Sequence, residues 1–279
     1  MMRRREMAAA DATARSRNWR WAVFGGLVGA VLATVIWAPA RWLASAVESA
    51  SNGRLLLAES RGSIWDGNAI VVLTGGPESR AASALPGRLH WRLRPRLLDG
   101  AALAIELEQA CCINQQATLL LKPGLGRVGL RLQPASDWIA RWPASWLAGL
   151  GTPWNTLDLG GQLVLRSNGL TIEEVEGRWR IGGGAELELL DLSSRLSTLP
   201  SLGSYRLGLR ADPAGAGGAL LLSTIDGALR LRADGRWDGA GLRLRGEASA
   251  ATPGDEAVLG NLLNIIGRRQ GARSVISIG

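Results

Sequence analysis

Along much of this chain leucine alternates with arginine or glutamate. The pattern is plain in Arg88-Leu89-His90-Trp91-Arg92-Leu93, Gly129-Leu130-Arg131-Leu132-Gln133, Ala185-Glu186-Leu187-Glu188-Leu189, Leu229-Arg230-Leu231-Arg232 and Leu242-Arg243-Leu244-Arg245. A period of two puts Leu on one face of a strand and charge on the other, which predicts sheets with one packed and one wet face. Turn signals punctuate these runs at Asn52-Gly53, Gly75-Gly76-Pro77, Pro123-Gly124, Asn168-Gly169, Asp212-Pro213, Asp226-Gly227 and Asp234-Gly235. Their close spacing favours antiparallel hairpins and meanders over crossover helices. The reading is mainly β: an antiparallel, twisted and curved sheet with one or two short helices. Acidic strands lie within hairpin distance of basic ones, so cross-strand ion pairs are expected on the wet face.

Two stretches break the alternation. Residues 135–149 place Trp138, Trp142 and Trp146 at helical spacing behind Ser136 or Asp137, with Pro143 expected to kink or split the helix. This stripe reads as a lid on one end of the sheet. Residues 255–266 carry Val258, Leu259, Leu262, Leu263 and Ile266 on one helical face and stop at Gly267, before a last strand from Ser274 to Ile278. A seam between two halves is expected near 150–156. A weak echo between Gly62-Ser63-Ile64-Trp65-Asp66-Gly67 and Gly235-Arg236-Trp237-Asp238-Gly239 pairs a glycine turn with a Trp expected to pack inward.

A different pattern occupies the N-terminus. From Trp21 to Ala40 no residue is charged, Arg20 and Arg41 bound the run, and Trp19, Trp21, Trp37 and Trp42 stand at its ends. About 20 apolar residues suffice to cross a hydrocarbon core of ~30 Å, and indoles favour the headgroup level. The run is longer than a signal-peptide core and exits through Ala38-Pro39-Ala40-Arg41-Trp42. A retained transmembrane helix is therefore expected at 21–43. Six arginines against two acids precede it, which places residues 1–20 in the cytoplasm and 44–279 on the far side. Gly25 and Gly29 form a small-xxx-small pair that could admit another helix.

The charge changes meaning once it is placed. The net is +8, from 32 basic and 24 acidic residues, but from residue 45 onward it is only 25 against 22. Most of the excess is topological, and nucleic acid is not implied. Candidate chemistry is sparse: one His, one Tyr, two Cys and a single lysine, Lys122. Those types supply most catalytic and metal sites. His90 points to the face opposite Leu89 and Trp91, and no G-x-S-x-G, H-E-x-x-H or phosphate-loop motif occurs. Glu106 with Glu108 and Glu186 with Glu188 share strand faces, as a glycosidase pair would, but arginines of neighbouring strands are their expected partners. Cys111 and Cys112 are open to three readings: buried thiols, a vicinal bridge, or a link to another copy. No enzyme, metal or cofactor is expected.

Several stretches together resemble the type II secretion system protein N family. They are Glu59-Ser60-Arg61-Gly62-Ser63-Ile64-Trp65-Asp66-Gly67-Asn68-Ala69, then Leu89-His90-Trp91-Arg92-Leu93-Arg94-Pro95 with Leu97-Leu98-Asp99-Gly100, and Leu202-Gly203-Ser204-Tyr205-Arg206-Leu207. Arg236-Trp237-Asp238-Gly239 and the tail Leu262-Leu263-Asn264-Ile265-Ile266-Gly267-Arg268-Arg269-Gln270-Gly271 complete the set. The resemblance implies an accessory, non-enzymatic subunit in the inner membrane with a periplasmic domain. It implies as partners the other subunits of the inner-membrane platform and the secretin. Its motif residues, structural or interfacial, are Gly62, Trp65, Gly67, Trp91, Pro95, Gly100, Gly203, Trp237, Gly239, Gly267 and Arg268. The family more distantly resembles large periplasmic proteins whose curved sheet holds lipid in an apolar trough. A second reading follows, in which the Leu-rich face binds or passes lipid.

Overall fold

The computed structural model describes residues 19, 21–96, 102–124, 126–212, 217–237 and 241–278. Residues 21–36 form helix α1, and α2 spans Ala40–Ala50. The strands of the first half are β1 (Leu55–Gly62), β2 (Asp66–Thr74), β3 (Ala82–Ala84), β4 (Leu89–Arg96), β5 (Ala102–Glu108), β6 (Ala117–Gly124), β7 (Arg127–Leu132) and β8 (Ala140–Pro143). A 3-10 helix, Ala144–Leu150, and a one-turn helix α3, Trp154–Leu157, lead into β9 (Leu159–Ser167), β10 (Leu170–Val175), β11 (Arg178–Gly182) and β12 (Gly184–Ser194). Then come β13 (Gly203–Ala211), β14 (Gly218–Asp226), β15 (Leu229–Trp237), β16 (Leu242–Ala250), helix α4 (Pro253–Ile266), β17 (Arg268–Gln270) and β18 (Arg273–Ile278).

Among the described residues these strands make two sheets of nine, antiparallel throughout. The first runs β1-β2-β4-β5-β6-β7-β10-β11 with β3 on β2, and the second β17-β18-β16-β15-β14-β13-β12-β9-β8. The sheets interleave along the chain, because β8 and β9 join the second sheet before β10 and β11 return to the first. The expected seam at 150–156 thus falls inside the second sheet, between β8 and β9.

Register explains why the alternation works. Leu93, Ile105, Leu119, Leu132 and Leu170 line up across five strands, and Pro95, Leu103, Leu121, Leu130, Ile172 and Ile181 across six. Their neighbours one position along, Arg92, Glu106 and Thr118, fill the opposite face. In the second sheet Leu165, Leu187, Leu207, Leu222, Ala233, Gly246 and Ile276 form a comparable row.

The apolar faces are covered unevenly. α4 lays Leu259, Leu262 and Leu263 over the second sheet around Leu163, Leu192, Tyr205, Leu229 and Ala248, all buried. It starts at an N-cap, Thr252, whose Oγ1 accepts from the Asp255 N–H, with Pro253 in the first turn. Strand β8 and the 3-10 helix bring Trp142, which packs against core clusters of both sheets. The half-buried rows on β5, β6, β7 and β10 have less cover.

Two expectations need correction. Residues 135–149 are not an α-helix: 140–143 is a strand paired with β9 and 144–150 is 3-10. Pro143 forbids the helical bond there, and extended pairing lets Ala140 and Trp142 face Leu165 and Leu163 across the ladder. The apolar run at 21–43 is also not one helix. Pro39 is extended at φ −72°, ψ 150° and caps α2, so α1 ends at residue 36. Among the described residues no helix is long and apolar enough to cross a membrane.

Candidate functional site

The turn between β1 and β2 gathers several of the predicted positions under close steric constraint. Gly62 has φ +90°, and a Cβ there would lie 2.5 Å from the Asp66 carbonyl oxygen. Gly67 is glycine because the Trp91 ring lies over it, 2.6 Å from where a Cβ would stand. The Trp91 side chain is 2% exposed, and its Nε1–H donates to the Ser63 carbonyl at 3.2 Å. Ser63 Oγ accepts from the N–H groups of Trp65 and Asp66, and the Leu93 N–H donates to the Trp65 carbonyl. Four motif residues, Gly62, Trp65, Gly67 and Trp91, are thus brought together on one turn and the strand beside it.

This turn grips the junction of α1 and α2. The Ile64 N–H donates to the Ala38 carbonyl at 2.9 Å, Pro39 bridges to Ser63, and Trp65 Nε1–H donates to the Val35 carbonyl at 2.8 Å. Ala38 and Ala40 are buried, while every side chain from Trp21 to Leu32 is exposed. Trp65 itself is half-buried. Of the two motif indoles on this turn, Trp91 is the core residue and Trp65 the one that reaches out to the helix.

The other motif positions lie apart. Pro95 is exposed on β4 opposite Leu103. Gly203 is buried at φ +138°, packed against the Asp226–Gly227 backbone. Trp237 stands 6.0 Å from Trp179 of the first sheet, ring centre to ring centre. Gly267 ends α4 in extended backbone, where a Cβ would strike the Val275 carbonyl, and Arg268 is exposed on β17. At Gly25 and Gly29 an added Cβ would meet nothing within 4 Å. Gly100 and Gly239 lie outside the described residues.

The polar faces carry charge in pairs. Arg92 and Arg94 meet Glu108 and Glu106 at 3.6 and 3.3 Å, and Arg206 meets Glu186 and Glu188 at 3.6 and 2.9 Å. Arg166 joins this second group, 2.7 Å from Asp137 and 3.3 Å from Glu188. The hydrogen bond from Arg206, then that from Arg166, holds the Glu188 carboxyl below its ordinary range against the opposing effect of burial. Asp137 is lowered by Arg166, and Arg166 is raised in turn, chiefly by Asp137. Asp137, Arg166, Glu186 and Arg210 also line an open groove of about 560 Å³. Each of these carboxylates has an arginine partner, and the array forms a surface of paired charge. His90 is exposed, and among the described residues no three His, Cys, Asp or Glu side chains are grouped to hold a metal.

Sequence reasoning missed Trp179 as the partner of Trp237, and the link of Asp137 to Arg166. The first contact depends on how the two sheets meet and the second on the pairing of β8 with β9, neither of which a local pattern records. Tyr205 has no local signal beyond its place in a motif. It is 1% exposed, with its hydroxyl 2.9 Å from the Leu229 carbonyl and 3.1 Å from that of Leu202.

The fold and these positions define a two-sheet antiparallel β protein whose singular residues serve turns, core and surface charge. A family model for type II secretion system, protein N, matches residues 53–276, and the chain belongs to that family of secretion-system accessory components. No curated protein and no solved structure matches it.

Proposed function

We propose that this protein is an accessory, non-enzymatic component of the type II secretion machinery, bitopic in the inner membrane. In this reading residues 1–20 are cytoplasmic, the apolar N-terminal segment lies in the bilayer, and residues 44–279 form a periplasmic domain. The domain supports export of folded proteins across the outer membrane through contacts with platform subunits and the secretin. The observation that carries the proposal is the family match from before β1 into β18, which takes in both sheets.

Membrane placement draws its support from α1. Its residues 21–36 rise about 24 Å, and Phe24, Leu27, Val31, Leu32 and Ile36 are all more than half exposed, a surface that water disfavours. Trp19 and Trp37, at 71% and 75% exposure, flank it where headgroups would receive indoles. Local thinning of the bilayer would accommodate a span somewhat short of ~30 Å. The test is crosslinking in intact cells followed by purification of the full chain. Platform subunits should be recovered with it, and their absence from the crosslinked material would overturn the partner assignment.

A second reading, lipid held on the apolar face, is favoured by the half-buried Leu103, Leu119, Leu121, Leu130 and Leu132. Native mass spectrometry of gently extracted protein should find a bound acyl lipid if it is right, and none if it is wrong.

A further inference from the structure

Cys111 and Cys112 form a vicinal disulfide in the turn between β5 and β6. Of the three readings open from sequence, the structure has the local bridge. Its position matters more than its presence, because this turn is one of the places where the first sheet meets the second. The Arg141 N–H donates to the Cys112 carbonyl at 2.8 Å, the Asn114 N–H to the Ile139 carbonyl at 3.0 Å, and Asn114 Nδ2 to the Trp138 carbonyl at 3.1 Å. Ile113 makes an antiparallel bridge with Ala140, the first residue of β8. Cys112, 2% exposed, packs with Val71 and Leu85 of the first sheet's side and with Trp142 and Trp146 of the other.

A bridge between adjacent residues closes almost no loop, so it removes little entropy from the unfolded chain. General stabilisation therefore does not account for it. What it fixes is the single peptide between the two cysteines, next to the Cys112 carbonyl that Arg141 uses. The pair is also asymmetric: Cys111 is exposed, with Sγ 3.0 Å from the Pro86 carbonyl, while Cys112 is enclosed. An attacking thiolate can reach only one sulfur.

We propose that Cys111–Cys112 is a redox-modified site, addressed by a protein dithiol, that sets the tightness of the joint between the sheets. A thiolate of the reductant attacks Cys111 Sγ, the Cys111–Cys112 bond breaks, and Cys112 leaves as a thiolate that takes up a proton. The second reductant thiol, as thiolate, then attacks its own partner sulfur in the mixed disulfide and releases Cys111. The reductant ends as a disulfide, the protein as two thiols, and two electrons have passed. With the bridge open, the 111–112 peptide turns freely and the hold on Arg141 weakens. This stands apart from the secretion reading, since it concerns how the two sheets are held together and not what they bind.

The test is hydrogen exchange on the full chain, oxidised and after treatment with dithiothreitol under native conditions, with alkylation to count thiols. Reduction should yield two alkylatable thiols and speed exchange about tenfold at 112–114 and 139–141, leaving β13 and β14 unchanged. Cys111→Ser, which keeps the packing of Cys112, should exchange like the reduced protein. The proposal is overturned if the bridge resists dithiothreitol until the whole domain unfolds. It is equally overturned if the reduced chain exchanges at both segments like the oxidised one.

Discussion

The indole Nε1–H of Trp65 donates to the main-chain carbonyl of Val35, 2.8 Å away and 30 residues earlier in the chain. One half-buried side chain thereby ties the β1–β2 turn to the last turn of α1, beside the Ile64–Ala38 bond and the buried Ala38 and Ala40. The C-terminal end of helix α1 is thus tied to the first sheet.

Trp65→Phe removes that hydrogen bond and keeps an aromatic ring. It should cost only about 1 kcal/mol of domain stability, while exchange at 35–40 rises. Trp91→Ala should cost about 3–5 kcal/mol, as expected for a large buried aromatic. Urea unfolding of the two variants measures the contrast, and equal losses would mean that the roles of the two indoles have been misassigned.

The same turn separates what is local in the chain from what is not. The Gly-x-x-Trp-x-Gly spacing marks it, and leucine alternation predicts the strands on either side, because both are local properties. That Trp91 and not Trp65 is the core residue depends on the pairing of Gly67 with Trp91 across β2 and β4, a register no single segment encodes. The helix expected at 135–149 fails for the same kind of reason. Its spacing is helical, but pairing with β9 offers Trp142 a better burial and Pro143 removes the competing backbone bond. The helix at 255–266 is legible since its apolar face and its stop at Gly267 lie within or beside it, while the structure adds the cap at Thr252 and a start at Pro253.

Gly203→Ala should destabilise by at least about 1 kcal/mol. The residue sits at φ +138° with the Asp226–Gly227 backbone against it, so an added methyl meets both strain and a clash. Thermal unfolding of the variant against the parent chain reads the effect.

Tyr205 is the only tyrosine, so phenolate absorbance reports one site. Burial, with a smaller effect of Asp226, pushes its hydroxyl well above its ordinary value. A group kept neutral in the fold lends stability that is complete below the unfolded value of about 10 and is lost as pH rises beyond it. Phenolate should therefore appear only together with unfolding, as followed by circular dichroism in the same titration. Ionisation of the native protein near pH 10 would contradict the burial of this residue.

Glu188 has the opposite sign. Arg206 and Arg166 lower its value, so its contribution is complete above the unfolded value of about 4.3 and is lost as pH falls through the lower folded value. Glu188→Gln should cost about 1 kcal/mol at neutral pH, and the deficit should shrink in acid. Denaturant midpoints across that range measure it.

A role in the export of folded proteins is tested most directly by the fate of one such substrate in cells with the coding sequence deleted, with and without the full chain restored. The account predicts that the substrate accumulates folded in the periplasm of the deletion strain and reaches the medium again on restoration. Unchanged release to the medium in the deletion strain would contradict it.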